Sequence, residues 1–478
     1  MATDEQKITL KVFVNKTKDC VAFVESDLDF VDVLLSFLTL PVGTVVRLLN
    51  KKSNLGCFDK LYQGVERLDK KYLATEACRS MLTNPVNSSG VKCQKLKINI
   101  DEMGELYTCD TTQVCSFRAF SYYSSLECHC GEGMDEAISY DLNQDNVNYE
   151  ECRGVFIRGD KFLVTDALLV ASIEHATSSF FGCCGDWTGL EERSIGIKRA
   201  QVWHILKRSL VSDTPLTDVL LRKEGDISPK FSVPPPVKKT VAIEAFDKKK
   251  IIYKIKLSLV GNKVLYAEAS QDFVNEIFSF LTFPLGTLKK QLGGRCKITC
   301  LNNLYGSARQ LHTSGYMVAG CDERLLNPKL PPYFNCNNRV IEVEVAREEM
   351  YYACDYRCRL SATRYYCSSP FHYGRKAKRA LLIDPKTSPK RLDFPKGSFC
   401  KKLTYIVSDE LVVTPFSFTS LFSLRRQISE PVKMVELGID KEEVLALLDA
   451  ALSSSTALTD AFFDRANAAL CLVDEKGE

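Results

Sequence analysis

A sixteen-residue stretch occurs twice in this chain, and it limits the possible folds more than any other feature. Asp29–Thr44 reads D-F-V-D-V-L-L-S-F-L-T-L-P-V-G-T, and Asp272–Thr287 reads D-F-V-N-E-I-F-S-F-L-T-F-P-L-G-T, with ten of the sixteen positions identical. The offset is 243 residues, and it recurs: Cys57–Tyr62 matches Cys300–Tyr305, Cys78–Pro85 matches Cys321–Pro328, and Val164–Val170 matches Val407–Val413. A steady offset over such a span means that a whole domain was duplicated rather than a short motif. We expect an α+β protein of two homologous tandem domains, residues 1–223 and 246–478. Residues 224–245 join them as a linker, stiffened by the run Pro234-Pro235-Pro236.

Each copy opens in the same way. Ile8, Leu10, Val12 and Val14 alternate with Thr9, Lys11 and Phe13, the period of a half-buried strand, and Cys20–Val24 forms the second arm of a hairpin. Copy two repeats this with Ile255, Leu257 and Leu259, a Gly261-Asn262 turn and Val264–Glu268. The repeated stretch then reads as a helix. Phe30, Val33, Leu34, Phe37 and Leu38 make one apolar stripe, Asp27 or Asp29 caps it, and Pro41 and Gly43 stop it. Further strands are expected at Leu96–Ile100, Ile341–Val345 and on both sides of the Asp166 and Asp409 turns. Helices are expected at Lys198–Leu210 and Asp440–Leu452, and each copy closes on Leu-Thr-Asp, at Leu216–Asp218 and Leu458–Asp460.

With 478 residues the chain has material for full cores. A net charge of +3 gives no global field toward nucleic acid or anionic membranes. Met1–Lys7 lacks the apolar core of a signal peptide, and no apolar run approaches the ~20 residues that span a bilayer. A cytoplasmic or nuclear location follows as an expectation, with no membrane partner. There the twenty cysteines would be thiols or metal ligands, not disulfides.

Four of them, Cys109, Cys115, Cys128 and Cys130, lie in two close pairs with Gly131 following, the arrangement of a four-cysteine zinc knuckle. The spacing departs from Cys-x-x-Cys in both pairs, and His129 could replace a thiol. Plain buried or surface thiols are the alternative. Copy two offers a looser set, Cys354, Cys358, Cys367 and His372. A closed four-ligand site has no open position, so such a zinc would be structural.

Two other stretches carry chemistry in principle. Cys183-Cys184, between Gly182 and Gly185, could be reactive if His175 or His204 came near, which would make a cysteine-dependent enzyme or redox protein. The basic run Arg375, Lys376, Lys378, Arg379, Lys386, Lys390, Arg391 and Lys396, with Tyr365, Tyr366 and Tyr373 beside it, could bind nucleic acid; a solvated loop is the plainer reading. No phosphate-binding loop, dinucleotide fingerprint, His-Glu-x-x-His or Gly-x-Ser-x-Gly is present. No catalytic residues are assigned, and an enzyme is the less favoured class.

The D-F-V…S-F-L-T-L-P-x-G-T stretch, Leu55-Gly56-Cys57…Leu61-Tyr62, Cys78…Asn84-Pro85, the Val-Thr-Asp…Val strand pair and the closing Leu-Thr-Asp resemble a plant-restricted family known only as a domain of unknown function. The resemblance covers nearly the whole chain. It implies tandem copies of one domain, a plant origin, an intracellular setting and no assigned activity. Its members often carry a Cys…Cys…Cys-x-Cys-Gly cluster, which Cys109, Cys115, Cys128, Cys130 and Gly131 match. Copy two departs from it after Cys367. A non-enzymatic binding or scaffold protein with a zinc staple and a protein partner is therefore the leading expectation.

Overall fold

The computed structural model describes residues 6–102, 104–109, 118–140, 154–175, 189–222, 252–347, 350–354, 359–361, 364–367, 373–387, 397–426 and 428–474. The first half lays down β1 (Ile8–Asn15), β2 (Cys20–Ser26), three short strands β3 (Leu106–Thr108), β4 (Ala119–Phe120) and β5 (Glu136–Ile138), then β6 (Phe162–Thr165), β7 (Val170–Ser172) and β8 (Leu190–Ile197). The second half follows with β9 (Tyr253–Val260), β10 (Lys263–Ser270), β11 (Tyr351–Ala353), β12 (Leu360–Ser361), β13 (Lys378–Leu382), β14 (Thr404–Ser408), β15 (Val413–Pro415) and β16 (Lys433–Ile439). The result is a mixed helix-and-sheet protein with several sheets. No helix among the described residues is long and apolar enough to cross a membrane.

Two five-stranded antiparallel sheets have the same layout: β7-β6-β2-β1-β8 and β15-β14-β10-β9-β16. The alternation in β1 behaves as its sequence period requires, with Ile8, Leu10 and Val12 buried and Thr9 and Lys11 in water. In both sheets the central hairpin slips register once, between Phe13 and Val14 and between Val264 and Tyr266.

The repeated stretch folds as a helix, Leu28–Ser36, a 3₁₀ turn, Phe37–Thr39, and a second helix, Val42–Leu48, that starts straight after Pro41. Proline ends one helix and opens the next because its fixed φ suits a helix start and its missing N–H is not needed there. Asp27 sits at the first N-cap without a side-chain capping bond, and Asp29 instead pairs with Lys97 at 2.7 Å.

The two copies of this stretch meet each other. Val42 N–H donates to Phe283 O at 3.0 Å and Leu285 N–H donates to Leu40 O at 3.0 Å, around a Pro41–Pro284 bridge. The glycines are crowded from both sides: a Cβ on Gly43 would lie 2.5 Å from Leu82 O of its own half and 3.1 Å from Leu281 O of the other copy, and one on Gly286 would lie 2.7 Å from Leu325 O of its own half and 3.0 Å from Leu38 O of the other copy. Thr44 and Thr287 donate their hydroxyls to Pro85 O and Pro328 O, at 3.1 and 2.7 Å. The Pro-x-Gly-Thr and Asn-Pro pieces of the repeat are thus partners in one junction.

Across that junction the halves trade helices. The Phe58–Arg67 helix packs on β15 of the second sheet, and the Thr299–Thr313 helix packs on β7 of the first. Cys57 donates its thiol to Ser454 O at 3.1 Å, and Cys300 donates to Ser212 O at 3.3 Å. Chain segments cross as well, with Ala74 N–H on Phe399 O and Val318 N–H on Phe156 O, each at 2.9 Å. Both sheets and the exchanged helices share one continuous apolar core.

The short strands close a third structure. β3 pairs with β5 and, through two 2.8 Å bonds between Tyr107 and Ser121, with the strand of β4. β11 pairs with β12 and β13. β4 runs parallel to β13, and Tyr140, just past β5, bridges Leu360 of β12 in parallel. Six strands, three from each half, therefore form a closed ring. Its core holds Leu106, Phe120 and Ile138 from one half and Tyr351, Leu360 and Leu382 from the other, and Tyr351 meets Phe120 edge-on at 5.0 Å.

Two expectations need correction. Leu96, Ile98 and Ile100 are buried but form no strand, and Ile341 and Val343 are the same; Val345 only bridges Leu330. Their alternation reflects a segment lying across the core with one side inward. The backbone N–H groups of Val340 and Ile341 go to the buried Glu276 carboxylate, at 2.7 and 3.2 Å, instead of to a ladder. The Leu-Thr-Asp endings do more than close a helix. Thr217 gives its N–H and hydroxyl to Asp166 and accepts from Val21 N–H, and Thr459 does the same with Asp409 and Val264. The Asp turns and the Leu-Thr-Asp endings match in both halves because they lock to each other. The helices at Arg199–Ser209 and Lys441–Ser453 bury the faces read from sequence. Residues 224–245 and Cys183-Cys184 lie outside the described residues.

Candidate metal centre

The ring of short strands carries the cysteines. Cys109 follows β3 directly, and Cys128 and Cys130 sit in the turn between β4 and β5. That turn is built by its backbone. Cys128 N–H donates to Glu132 O, Gly131 N–H donates back to Cys128 O, and Met134 N–H donates to Leu126 O, all at 2.8 Å. Gly131 has φ +90°, a conformation that favours glycine, and so lets the chain fold under the thiols.

The turn brings Cys130 Sγ to 3.7 Å from Cys109 Sγ. With Cys128 the three sulfurs lie within 4.8 Å of one another, a group that could hold a metal ion. Cys109 and Cys128 are buried, while Cys130 and the neighbouring His129 are exposed. Cys115 lies outside the described residues.

The second half builds a matching hairpin. Cys367 N–H donates to Arg375 O, Gly374 N–H donates to Cys367 O, and Ala377 N–H donates to Tyr365 O, at 2.8 to 2.9 Å. These are the three bonds of the first turn, at Cys367, Gly374 and Ala377 in place of Cys128, Gly131 and Met134. The intervening loop is longer, and Gly374 again has positive φ. Cys354 and Cys367 are buried together with Tyr352, Tyr365 and Ala377. Cys358 and His372 lie outside the described residues.

Among the described residues most of the other thiols are buried, Cys20 and Cys471 excepted. Burial pushes Cys57, Cys93 and Cys336 up to about 12, so they stay protonated, and Cys57 spends its proton on a carbonyl. The basic run also divides. Arg375, Lys376, Lys378 and Arg379 are exposed, but Lys386 is buried, donates to Asn335 O and lies 5.5 Å over the Phe399 ring; Lys390, Arg391 and Lys396 lie outside the described residues. Tyr365 is buried, and Tyr366 and Tyr373 are in water.

Sequence reading missed two buried acids. Asp32 accepts from the N–H groups of Val155, Phe156 and Ile157 at 2.5, 2.9 and 3.1 Å, and burial pushes its carboxyl up to about 7 against the pull of those donors. Glu276 also accepts from Tyr253 Oη at 2.9 Å, and burial raises it too. A usable signal was the match of Gly154-Val155-Phe156 with Gly397-Ser398-Phe399 at the common offset.

None of the curated proteins and none of the solved structures matches this chain. The sequence profile of one family, described as protein of unknown function (DUF674), matches residues 4–437, and the chain belongs to that family.

Proposed function

We infer that this is a non-enzymatic binding protein, built on a duplicated domain and stapled by a structural zinc ion at Cys109, Cys115, Cys128 and Cys130. The observation that carries this is the spacing of the thiols. Zinc–sulfur bonds of about 2.3 Å in a tetrahedron put the sulfurs about 3.8 Å apart, and Cys109 and Cys130 stand 3.7 Å apart. Cys115 supplies the fourth thiolate in this reading.

The ring explains why a staple helps. Its own core is small and made of short strands that belong to different halves. A metal that binds only the folded turn adds its binding energy to that fold. Four thiolates leave zinc no open position for substrate or water, which supports a structural role. In the second half, Cys354 and Cys367 with Cys358 and His372 are the looser set that a second metal would use. The many thiols suit the reducing cytosol or nucleus.

Cobalt substitution tests the reading. Four-thiolate coordination gives strong sulfur-to-cobalt charge-transfer absorption, and Cys130→Ser should weaken it and loosen the metal. Cobalt spectra without thiolate bands would rule the cysteine site out.

A further inference from the structure

The two hairpins that match in backbone differ in charge. Residues 111–138 of the first half carry Glu127, Glu132, Asp135 and Glu136 against the single base Arg118. Residues 356–383 of the second half carry seven Lys and Arg and no acidic residue. A net charge of +3 conceals this, because the two ends of the ring offset each other.

The basic hairpin is also aromatic on its outer face. Tyr366 and Lys376 are directly paired across the strands, so their side chains share a face. Their neighbours Tyr365, Cys367 and Ala377 turn inward, and Tyr366 is left 65% exposed. Tyr373, at the hairpin tip, is 81% exposed. On the adjoining sheet Arg379 pairs with Tyr352, and the Arg364 guanidinium lies 5.5 Å over the Tyr352 ring. Two exposed rings, an exposed guanidinium stacked on a buried ring, and four further exposed cations thus fall within residues 364–379 of one hairpin and the strand that follows it. Rings of this kind stack with bases, and the charges track phosphates.

We propose that this basic hairpin and the strand that follows it, with Tyr366, Tyr373, Arg364, Lys376 and Arg379 in contact, bind single-stranded nucleic acid without base-specific readout. This names a partner for the binding protein inferred above and does not depend on the metal. An acidic protein surface would satisfy the cations but leaves the two exposed tyrosines without a role. The acidic hairpin of a second copy is the other occupant that charge alone allows.

The test uses the full-length protein and fluorescent oligouridylate and oligothymidylate of about 20 nucleotides. Binding should weaken steeply with salt, with a slope of about 0.7 per phosphate contacted. Lys376→Ala and Arg379→Ala should each lower that slope by about 0.7. Tyr366→Ala with Tyr373→Ala should cost roughly tenfold or more in affinity at unchanged slope. All four side chains are exposed, so melting temperatures should hold. Absence of binding at low salt, equal binding of duplex, or equal competition by polyglutamate would each overturn the proposal. So would salt-sensitive self-association in place of strand binding. Zinc content on the same samples separates the two readings: metal without strand binding removes only this one, and strand binding without metal removes only the staple.

Discussion

Asp32 and Asn275 stand at the same place in the two copies of the repeat and hold the same segment with different chemistry. Asp32 Oδ1 accepts from Phe156 N–H at 2.9 Å, and Asn275 Oδ1 accepts from Phe399 N–H at 3.1 Å. The carboxylate also takes Val155 N–H, whereas the Asn275 amide donates to Ser398 Oγ at 2.9 Å. Each half has matched its acceptor to its partner: valine with a carboxyl group, serine with an amide.

That matching predicts non-additive mutants. Asp32→Asn alone turns an amide toward Val155 N–H, donor against donor. Val155→Ser supplies an acceptor, as Ser398 does. Urea unfolding of the double variant should show about 1–2 kcal/mol more stability than the sum of the singles predicts. Strict additivity would mean the two residues do not act as a pair.

The same carboxyl sets a pH dependence. Burial raises Asp32 to about 7 and Asp166 to about 6, above the unfolded value near ~3.9. A raised carboxyl pKa means that the folded state holds the proton more tightly. Its stabilising contribution is present below about pH 4 and is lost as pH rises toward 7. Unfolding free energy followed from pH 4 to 8 should carry this decline, and Asp32→Asn should flatten it. An unchanged profile in the variant would show that Asp32 titrates elsewhere.

Gly43 and Gly286 sit where each copy packs closely on its own half and on the other copy. Gly43→Ala and Gly286→Ala put a methyl group against backbone carbonyls at 2.5 and 2.7 Å. Each should destabilise the whole protein by about 2 kcal/mol or more, in one cooperative transition. Neutral substitutions would mean that the junction is looser than described.

Helix exchange makes a prediction about the chain itself. A protease site placed within residues 224–245 should yield two fragments that remain together through gel filtration, because each sheet is covered by a helix of the other half. Separation into two folded monomers would contradict the exchange.

The repeat, the opening hairpins, the repeated helix and the faces of the Arg199–Ser209 and Lys441–Ser453 helices were legible because strand and helix periods survive in one sequence. The gathering of Cys109, Cys128 and Cys130 was legible from their closeness along the chain. The exchange was not: equal copies have equal apolar faces, and nothing in periodicity says which copy a face will meet. The strands misread at Leu96–Ile100 and Ile341–Val345 fail for a related reason. Alternation records burial on one side, but a buried acid such as Glu276 can take the backbone N–H groups that a ladder would otherwise use. The ring of short strands was invisible because five of its six strands are only two or three residues long and carry no period.

The central claim is that the thiols of the ring hold metal, and elemental analysis of chelator-washed protein tests it most directly. About one zinc per chain, lost in Cys128→Ser and Cys130→Ser together with stability, is the predicted result, and about two if Cys354, Cys358, Cys367 and His372 bind as well. Protein that is fully folded and free of metal, with Cys128→Ser as stable as the parent, would contradict it.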